Sequence, residues 1–213
     1  MSRLLLTTAV VSFPSAGPSS AGQASVLLAL LTPETSQQIE RLLSSRESGP
    51  SPIIGVARLL AHDQIFNLYH KRGFTPLWLD GWQLKPGSFT LLENLRNAGA
   101  HGLCGDDYLL VQLEGLIGLH KDFARKNLPL APQNRAVIDL FLSQAFLTFS
   151  SHMVEGQVDP KLAHVDWRAR QRKVDLLKLL KYALDNDRMP QVLEGLYPPH
   201  EEYRNLVAAL AQY

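Results

Sequence analysis

The sequence predicts an all-α fold, a compact, bundle-like domain of about seven helices around one central buried helix. Apolar residues recur with the helical period of about 3.6 through most of the chain. No segment alternates between apolar and polar residues over a useful length. The stretch from Gln133 to Glu155 is apolar on two faces, and a helix of that kind belongs in a core rather than on a surface.

Four helices are predicted in the first half of the chain. Thr32-Pro33 suits a helix start, because a hydroxyl can cap the helix and proline is tolerated in its first turn. A second helix is predicted over about Pro52 to Arg72. Ser88 is predicted to cap the third, and Asp106 or Asp107 the fourth. The residues expected to face the core are Ile39, Leu42, Leu43, Val56, Leu59, Leu60, Ile65, Phe66, Tyr69, Leu91, Leu92, Leu95, Leu109, Leu110, Leu113, Leu116 and Ile117.

The second half is predicted to contain the central helix, Gln133 to Glu155, and two shorter helices after it. The central helix carries two apolar stripes: Val137, Leu140, Phe141, Ala145 and Thr148 on one, and Ile138, Leu142, Phe146, Phe149 and Met153 on the other. The shorter helices are expected to bury Val174, Leu177, Leu180 and Leu184 on the first, and Tyr203, Leu206, Val207 and Leu210 on the second.

Composition and charge restrict the possible partners. The chain has 46% hydrophobic and 19% charged residues, as an ordinary globular protein does, and a formal net charge of +1. Without a strongly basic surface, nucleic acid is disfavoured as a partner. The one cysteine, Cys104, cannot form an internal disulfide, and it rules out a zinc site built on paired cysteines.

The first 24 residues have the pattern of a secretory signal. Arg3 supplies a positive charge, Leu4 to Phe13 form a short uncharged run, and a stretch of small residues ends at Ala24. The run is about half of the ~20 residues that a membrane-spanning helix needs, so no stable membrane span is expected. We therefore expect residues 1–24 to be a signal peptide and residues 25–213 to form the mature domain; the alternative is a simple N-terminal tail.

The segment from Phe66 to Trp78, FNLYHKRGFTPLW, resembles the opening motif F-Y-x-x-R-x-F-x-P-x-W of the scaffold domain in the large Gram-negative L,D-transpeptidases. Later motifs follow in the order of that family, and the resemblance covers about Ile54 to Tyr213. The residues that carry it as structural landmarks are Tyr69, Phe74, Pro76, Trp78, Tyr108, Asp139, Phe141, Gly156 and Tyr203.

The resemblance implies a non-catalytic scaffold that takes part in peptidoglycan cross-link formation or remodelling in the periplasm. In that family a separate catalytic domain carries an S-H-G-C motif whose cysteine is the nucleophile, and this chain contains no such motif. The implied partners are peptidoglycan, a wall-synthesis enzyme or a catalytic module. No cofactor and no metal are expected.

An alternative is an enzyme that cleaves or transfers peptidoglycan by itself. Cys104 lies three residues after His101, and Asp106 could orient that histidine, but Leu103 breaks the S-H-G-C spacing. A lytic enzyme would instead need a carboxylic acid of raised pKa. The candidate carboxylates are Glu93, Glu114, Glu155, Asp159 and Asp166.

Two regions are candidate binding surfaces. Trp82 lies in a loop and has no counterpart in the family motif, so it is the aromatic residue predicted for a partner surface, whereas Trp78 is expected to be buried. Next to Trp167 lies a basic cluster formed by Arg168, Arg170, Arg172 and Lys173. Trp167, Arg168 and Arg170 are its candidate binding residues; the alternative is a solvated helix start with a cation–π contact. No two histidines have the H-x-x-H or H-x-x-x-H spacing of a metal site.

Overall fold

The computed structural model describes residues 33–45, 53–54, 57–58, 61–157 and 173–212. For residues 53–54 and 57–58 it gives only the backbone pairing. The predicted signal peptide lies outside the described residues. So do three of the predicted binding residues, Trp167, Arg168 and Arg170, and two of the candidate carboxylates, Asp159 and Asp166.

Helices make up most of the regular structure in the described ranges, which confirms the all-α class. The α-helices described are α1 (33–44), α2 (His62–His70), α3 (Pro86–Arg96), α4 (Leu110–Arg125), α5 (Pro132–Glu155), α6 (Leu176–Asp185), α7 (Met189–Glu194) and α8 (Glu201–Leu210). The short elements are strands β1 (Ile53–Ile54), β2 (Ala57–Arg58), β3 (Leu79–Asp80) and β4 (Gln83–Leu84), and 3₁₀-helices at Asn97–His101 and Gly105–Tyr108.

The predicted central helix is confirmed as α5. Fifteen of its 24 residues are buried, and α2, α3, α4 and α6 all pack against it. It is long and apolar enough to cross a membrane, with a mean hydropathy of 1.3, yet 72% of that window is buried inside the protein itself. Phe141 is 3% exposed. The apolar surface of α5 is therefore buried by the surrounding helices of the same domain.

The prediction of one helix from Pro52 to Arg72 is wrong in its first half. The helix α2 begins only at His62, and β1 and β2 before it form an antiparallel pair in which Ile53 lies opposite Arg58. Short apolar runs cannot be assigned to helix or strand by periodicity alone, and β-branched residues favour strands. A second hairpin joins β3 to β4, with Leu79 opposite Leu84. Both hairpins are too short for a period of two to be visible in the sequence.

The predicted cap of the third helix is displaced. The helix α3 begins at Pro86, where the fixed φ of proline suits the first turn, and the extended Lys85 precedes it. Ser88 is already inside the helix and fully buried, and its hydroxyl has no hydrogen-bond partner among the described residues. The inward face is as predicted, because Leu91, Leu92 and Leu95 are all buried.

The predicted caps of the fourth helix are also wrong. Asp106 and Asp107 belong to the 3₁₀-helix that ends at Tyr108, and α4 starts at Leu110 after the left-handed residue Leu109, whose φ is 59°. The carboxylate of Asp107 instead accepts a hydrogen bond from Gln157 Nε2 at 2.8 Å. A left-handed leucine is not visible as a helix start in a sequence, because such a conformation is uncommon outside glycine, asparagine and aspartate.

The expected burial of α8 is wrong as well. None of its residues is buried, and Leu206 and Leu210 are 69% and 43% exposed. Tyr203 and Val207 are half-buried, and the helix packs mainly against the 3₁₀-helix Asn97–His101. Its apolar spacing marks a face that could be buried, but within the described residues little protein covers it.

Candidate functional site

A group of buried polar residues, here called the Asp139 network, joins α5 to the chain that follows α2. It consists of Asp139, Ser143, Tyr69, Trp78 and the backbone of Leu77. The Asp139 carboxylate accepts hydrogen bonds from the Leu77 and Trp78 amides, both at 2.9 Å, and from the Tyr69 hydroxyl. All four side chains are 1% exposed or less. The network therefore holds a non-helical segment against the central helix.

The hydroxyls of this network have a consistent direction of donation. The indole Nε1–H of Trp78 can only donate, and it does so to Ser143 Oγ at 2.9 Å. Ser143 Oγ lies 2.7 Å from the Tyr69 hydroxyl, so it donates there while Tyr69 donates to Asp139. Each side-chain donor thereby has an acceptor, which is the condition for burying polar groups without a large loss of stability.

Burial raises the pKa of Asp139 to about 6, although the bonds from Tyr69 and the two backbone amides lower it in part. The pKa of the Tyr69 hydroxyl is raised well above its ordinary value, first by burial and then by the carboxylate beside it. A carboxyl of raised pKa can serve as a general acid. This one is 0% exposed and bonded to the protein's own groups, so the arrangement is built to hold the chain and not to meet a substrate.

The local sequence explains how the segment reaches Asp139. The chain leaves α2 through Gly73 and Phe74, which have φ values of 60° and 57°, and the Phe74 amide donates to the Tyr69 carbonyl at 2.8 Å. Pro76 disfavours helix in the residue before it. Residues 75–78 belong to no helix or strand, so the amides of Leu77 and Trp78 are available to bond to Asp139. Trp78 is 0% exposed, as predicted.

With the geometry in place, comparison with known families gives one result. A family model described as "Scaffold domain" matches residues 63–210. The chain belongs to the scaffold-domain family. No curated protein and no solved structure matches it. All nine structural landmarks predicted from the resemblance lie inside the matched range of the scaffold domain.

A second polar group lies near the other end of α5 in this scaffold domain. The Tyr108 hydroxyl is 2.9 Å from His152 Nδ1, and the tyrosine ring packs edge-on against Phe149 at 5.4 Å. Burial, followed by the charges of Asp107 and Cys104, raises the pKa of Tyr108 to about 12. The hydroxyl therefore stays protonated at neutral pH and holds the imidazole in place.

A surface groove of about 560 Å³ borders His152. The last turns of α5 form one side, the start of α2 another, and the start of α6 the third. Its polar lining is contributed by Gln64, Thr148, Ser151, His152, Glu155 and Asp175. Its size is within the range of small-molecule sites in proteins.

His101, the candidate base for Cys104, is engaged by two tyrosines of the domain. His101 Nδ1 is hydrogen-bonded to the Tyr203 hydroxyl at 2.6 Å, and its ring stacks on Tyr197 with a centroid distance of 4.5 Å. Burial lowers the pKa of His101. Cys104 is exposed. The histidine thus serves to attach α8 through Tyr203.

The remaining predicted site residues that the structure describes do not form one shared site. Trp82 is half-buried, and its ring lies 6.5 Å from that of His120. Glu93 and Glu114 are exposed, and both pair with Arg96. Among the described residues, no group of three histidine, cysteine, aspartate or glutamate side chains could hold a metal ion.

Sequence reasoning missed the chemical role of Asp139, which the resemblance marked only as a landmark. A local indication was present: Asp139 and Ser143 are spaced by four residues, on one face of a helix whose middle is largely apolar. Polar residues on such a helix must be buried with partners. The identity of those partners was not visible, because the bonds span 61 to 74 residues.

Proposed function

We propose that this chain is a non-catalytic scaffold of an L,D-transpeptidase-like system, working in peptidoglycan cross-link formation or remodelling. The observation that carries the proposal is the scaffold-family match over residues 63–210. The link to L,D-transpeptidases rests on the resemblance of the FNLYHKRGFTPLW segment and the motifs after it. Export to the periplasm and contact with the wall or a catalytic module belong to the same proposal.

A scaffold acts by holding partners in a fixed geometry, so its core must be rigid. The Asp139 network supports such a role, since it fixes the segment at Leu77 and Trp78 to the most buried helix of the domain. The exposed cysteine and the engagement of His101 by Tyr203 also favour a positional role over a bond-making one. In this proposal the reacting cysteine belongs to another module.

Purified muropeptides test the non-catalytic part. The protein alone is expected to leave disaccharide tetrapeptides unchanged on chromatography and mass spectrometry. A cross-linked or cleaved product would contradict the proposal. If that activity were lost in Cys104→Ser, the cysteine would be the nucleophile; if it survived, the carboxylates would be implicated.

The scaffold part needs a second experiment. A separately purified L,D-transpeptidase catalytic domain is assayed with and without this chain, and the chain is expected to increase the yield of cross-linked muropeptides. Trp82→Ala tests the predicted partner surface in the same assay, because the half-buried ring can be removed without emptying the core. An unchanged yield with the intact protein would contradict the scaffold role.

A further inference from the structure

The groove beside His152 has a rigid floor. Thr148, Ser151, His152 and Glu155 lie on successive turns of α5, the helix that the rest of the domain surrounds. Gln144, one turn earlier, accepts a hydrogen bond from the Ala61 amide at 3.0 Å and donates to Thr148 Oγ1 at 3.1 Å. This side chain ties the start of α2 to α5, so two sides of the groove are fixed relative to each other.

The polar groups on that floor are also held in place. The buried Tyr108 fixes His152, with its hydroxyl 2.9 Å from Nδ1. Ser151 Oγ donates to Glu155 Oε2 at 3.1 Å, which orients the carboxylate. A hydroxyl, an imidazole and a carboxylate are thus presented side by side. Groups held this way lose little freedom when a ligand binds.

The charges around the groove favour a cation. Glu155 and Asp175 line it, and the described lining includes no lysine or arginine. Glu155 is the last residue of α5, so its carboxylate lies at the negative end of the helix dipole. The positive end of α6, on the opposite side, is already capped, because Asp175 accepts from the Lys178 amide at 3.1 Å. Asp175 also pairs with Lys178 Nζ at 3.1 Å, whereas among the described residues no cation pairs with Glu155.

The remaining wall is aliphatic and consists of Leu147, Leu176 and Leu177 with Ala61 and Val174. An ammonium group carried on an aliphatic chain matches a carboxylate beside such a wall. The hydroxyls and the imidazole match the carbonyl and amide groups of a peptide backbone.

We propose that this groove binds a short peptide that carries a primary amine, with the ammonium group at Glu155 and the peptide backbone along Ser151 and His152. The site is independent of the wall function proposed above. It can be tested with isolated peptides and no peptidoglycan, so its failure and the failure of that function are distinguishable.

The test is an NMR titration of the ¹⁵N-labelled full chain with two peptides that differ in one group. The first is acetyl-Ala-Lys-Ala-amide, and the second is the same peptide with the lysine amine acetylated. The first is expected to shift the amides around Ser151 and Glu155, with a dissociation constant of about 1 mM. The acetylated peptide is expected to bind at least about tenfold more weakly.

Matched variants identify the carboxylate. Glu155→Gln keeps an acceptor for Ser151 and removes the charge, and it is expected to weaken binding about tenfold. The control is Glu202→Gln, which makes the same change at an exposed residue of α8 and is expected to leave the affinity within about twofold. The proposal is overturned if the lysine peptide causes no shift at about 10 mM, if acetylation has no effect, or if the two variants behave alike. The peptide comparison needs no variant, so it remains decisive if Glu155→Gln does not fold.

Discussion

The central helix α5 and the helix α8 are each joined to another part of the domain by the hydroxyl of a tyrosine, but the two tyrosines have very different surroundings. Tyr69 is 0% exposed and bonds to Asp139 and Ser143 within a core of apolar side chains. Tyr203 is half-buried and bonds to His101, while its own helix buries no residue. From this difference we expect that burial, more than the presence of a hydrogen bond, decides how much each helix contributes to the stability of the fold.

The largest expected effect is on apolar packing in α5. Phe141→Ala should lower the free energy of unfolding by about 3–5 kcal/mol, because it empties a buried aromatic site. Chemical denaturation followed by circular dichroism measures it. Leu206→Ala on α8 is the control and should change the free energy by less than about 0.5 kcal/mol. A loss below about 1 kcal/mol for Phe141→Ala would mean that α5 is not the packing centre.

The next effect is a dependence of stability on pH. The pKa of Asp139 is raised in the folded state from 3.8 to about 6, so the folded protein binds this proton more tightly than the unfolded chain does. Its stabilising contribution is full below the unfolded pKa of 3.8 and is lost as pH rises through about 6. The free energy of unfolding, relative to Asp139→Asn, should therefore fall by about 2 kcal/mol between pH 4 and 7.

Urea denaturation of both proteins at several pH values measures this difference. Asp139→Asn retains the shape of the side chain but has no charge to titrate, so effects of all other groups cancel in the comparison. A difference that does not change with pH would show that the carboxyl titrates normally and would contradict its burial in the core.

A smaller effect separates two serines of the same helix. Ser143 and Ser150 are both 0% exposed, but Ser143 bonds to Trp78 and Tyr69, whereas Ser150 Oγ has no hydrogen-bond partner among the described residues. Ser143→Ala should therefore cost about 1–3 kcal/mol, because it leaves buried polar groups unsatisfied. Ser150→Ala should be neutral or slightly stabilising. Equal losses in the two thermal denaturation curves would contradict the network.

The smallest effect belongs to α8. Tyr203→Phe removes the hydroxyl bonded to His101 but keeps the stacked ring, and it should cost about 0.5–1 kcal/mol. Tyr182→Phe, at a 54% exposed tyrosine, controls for the loss of a hydroxyl in water and should be close to neutral. Chemical denaturation measures both variants. A loss above about 2 kcal/mol for Tyr203→Phe would place α8 inside the cooperative core.

The central position of α5 could be predicted because a helix that is apolar on two faces must be surrounded by other elements of the fold. A helix as apolar as Gln133 to Glu155 cannot lie at a surface, so its central place followed from the sequence. The predicted burial of α8 was wrong because this helix has only one apolar face. A single apolar face indicates which side of a helix would be buried. It does not indicate whether another element of the same domain covers that side.

The candidate site was less predictable, for reasons specific to its residues. The landmarks Tyr69 and Trp78 were identified by resemblance, but their bonds to Asp139 cross more than 60 residues of chain and leave no local pattern. The caps at Ser88 and Asp106 were misplaced because Pro86 and the left-handed Leu109 start those helices instead. The groove at His152 depends on three separate elements, whose approach no spacing in the sequence encodes.

Native-state hydrogen exchange of the Leu77 and Trp78 amides tests the central claim most directly. These two amides lie outside the helices and strands that the structure describes, and the Asp139 carboxylate is their acceptor. They should exchange only on global unfolding, as slowly as the amides of α5, while the amides of α8 exchange through local opening at a much lower free energy. Exchange of Leu77 and Trp78 as fast as that of α8 would contradict a fixed segment on a rigid central helix.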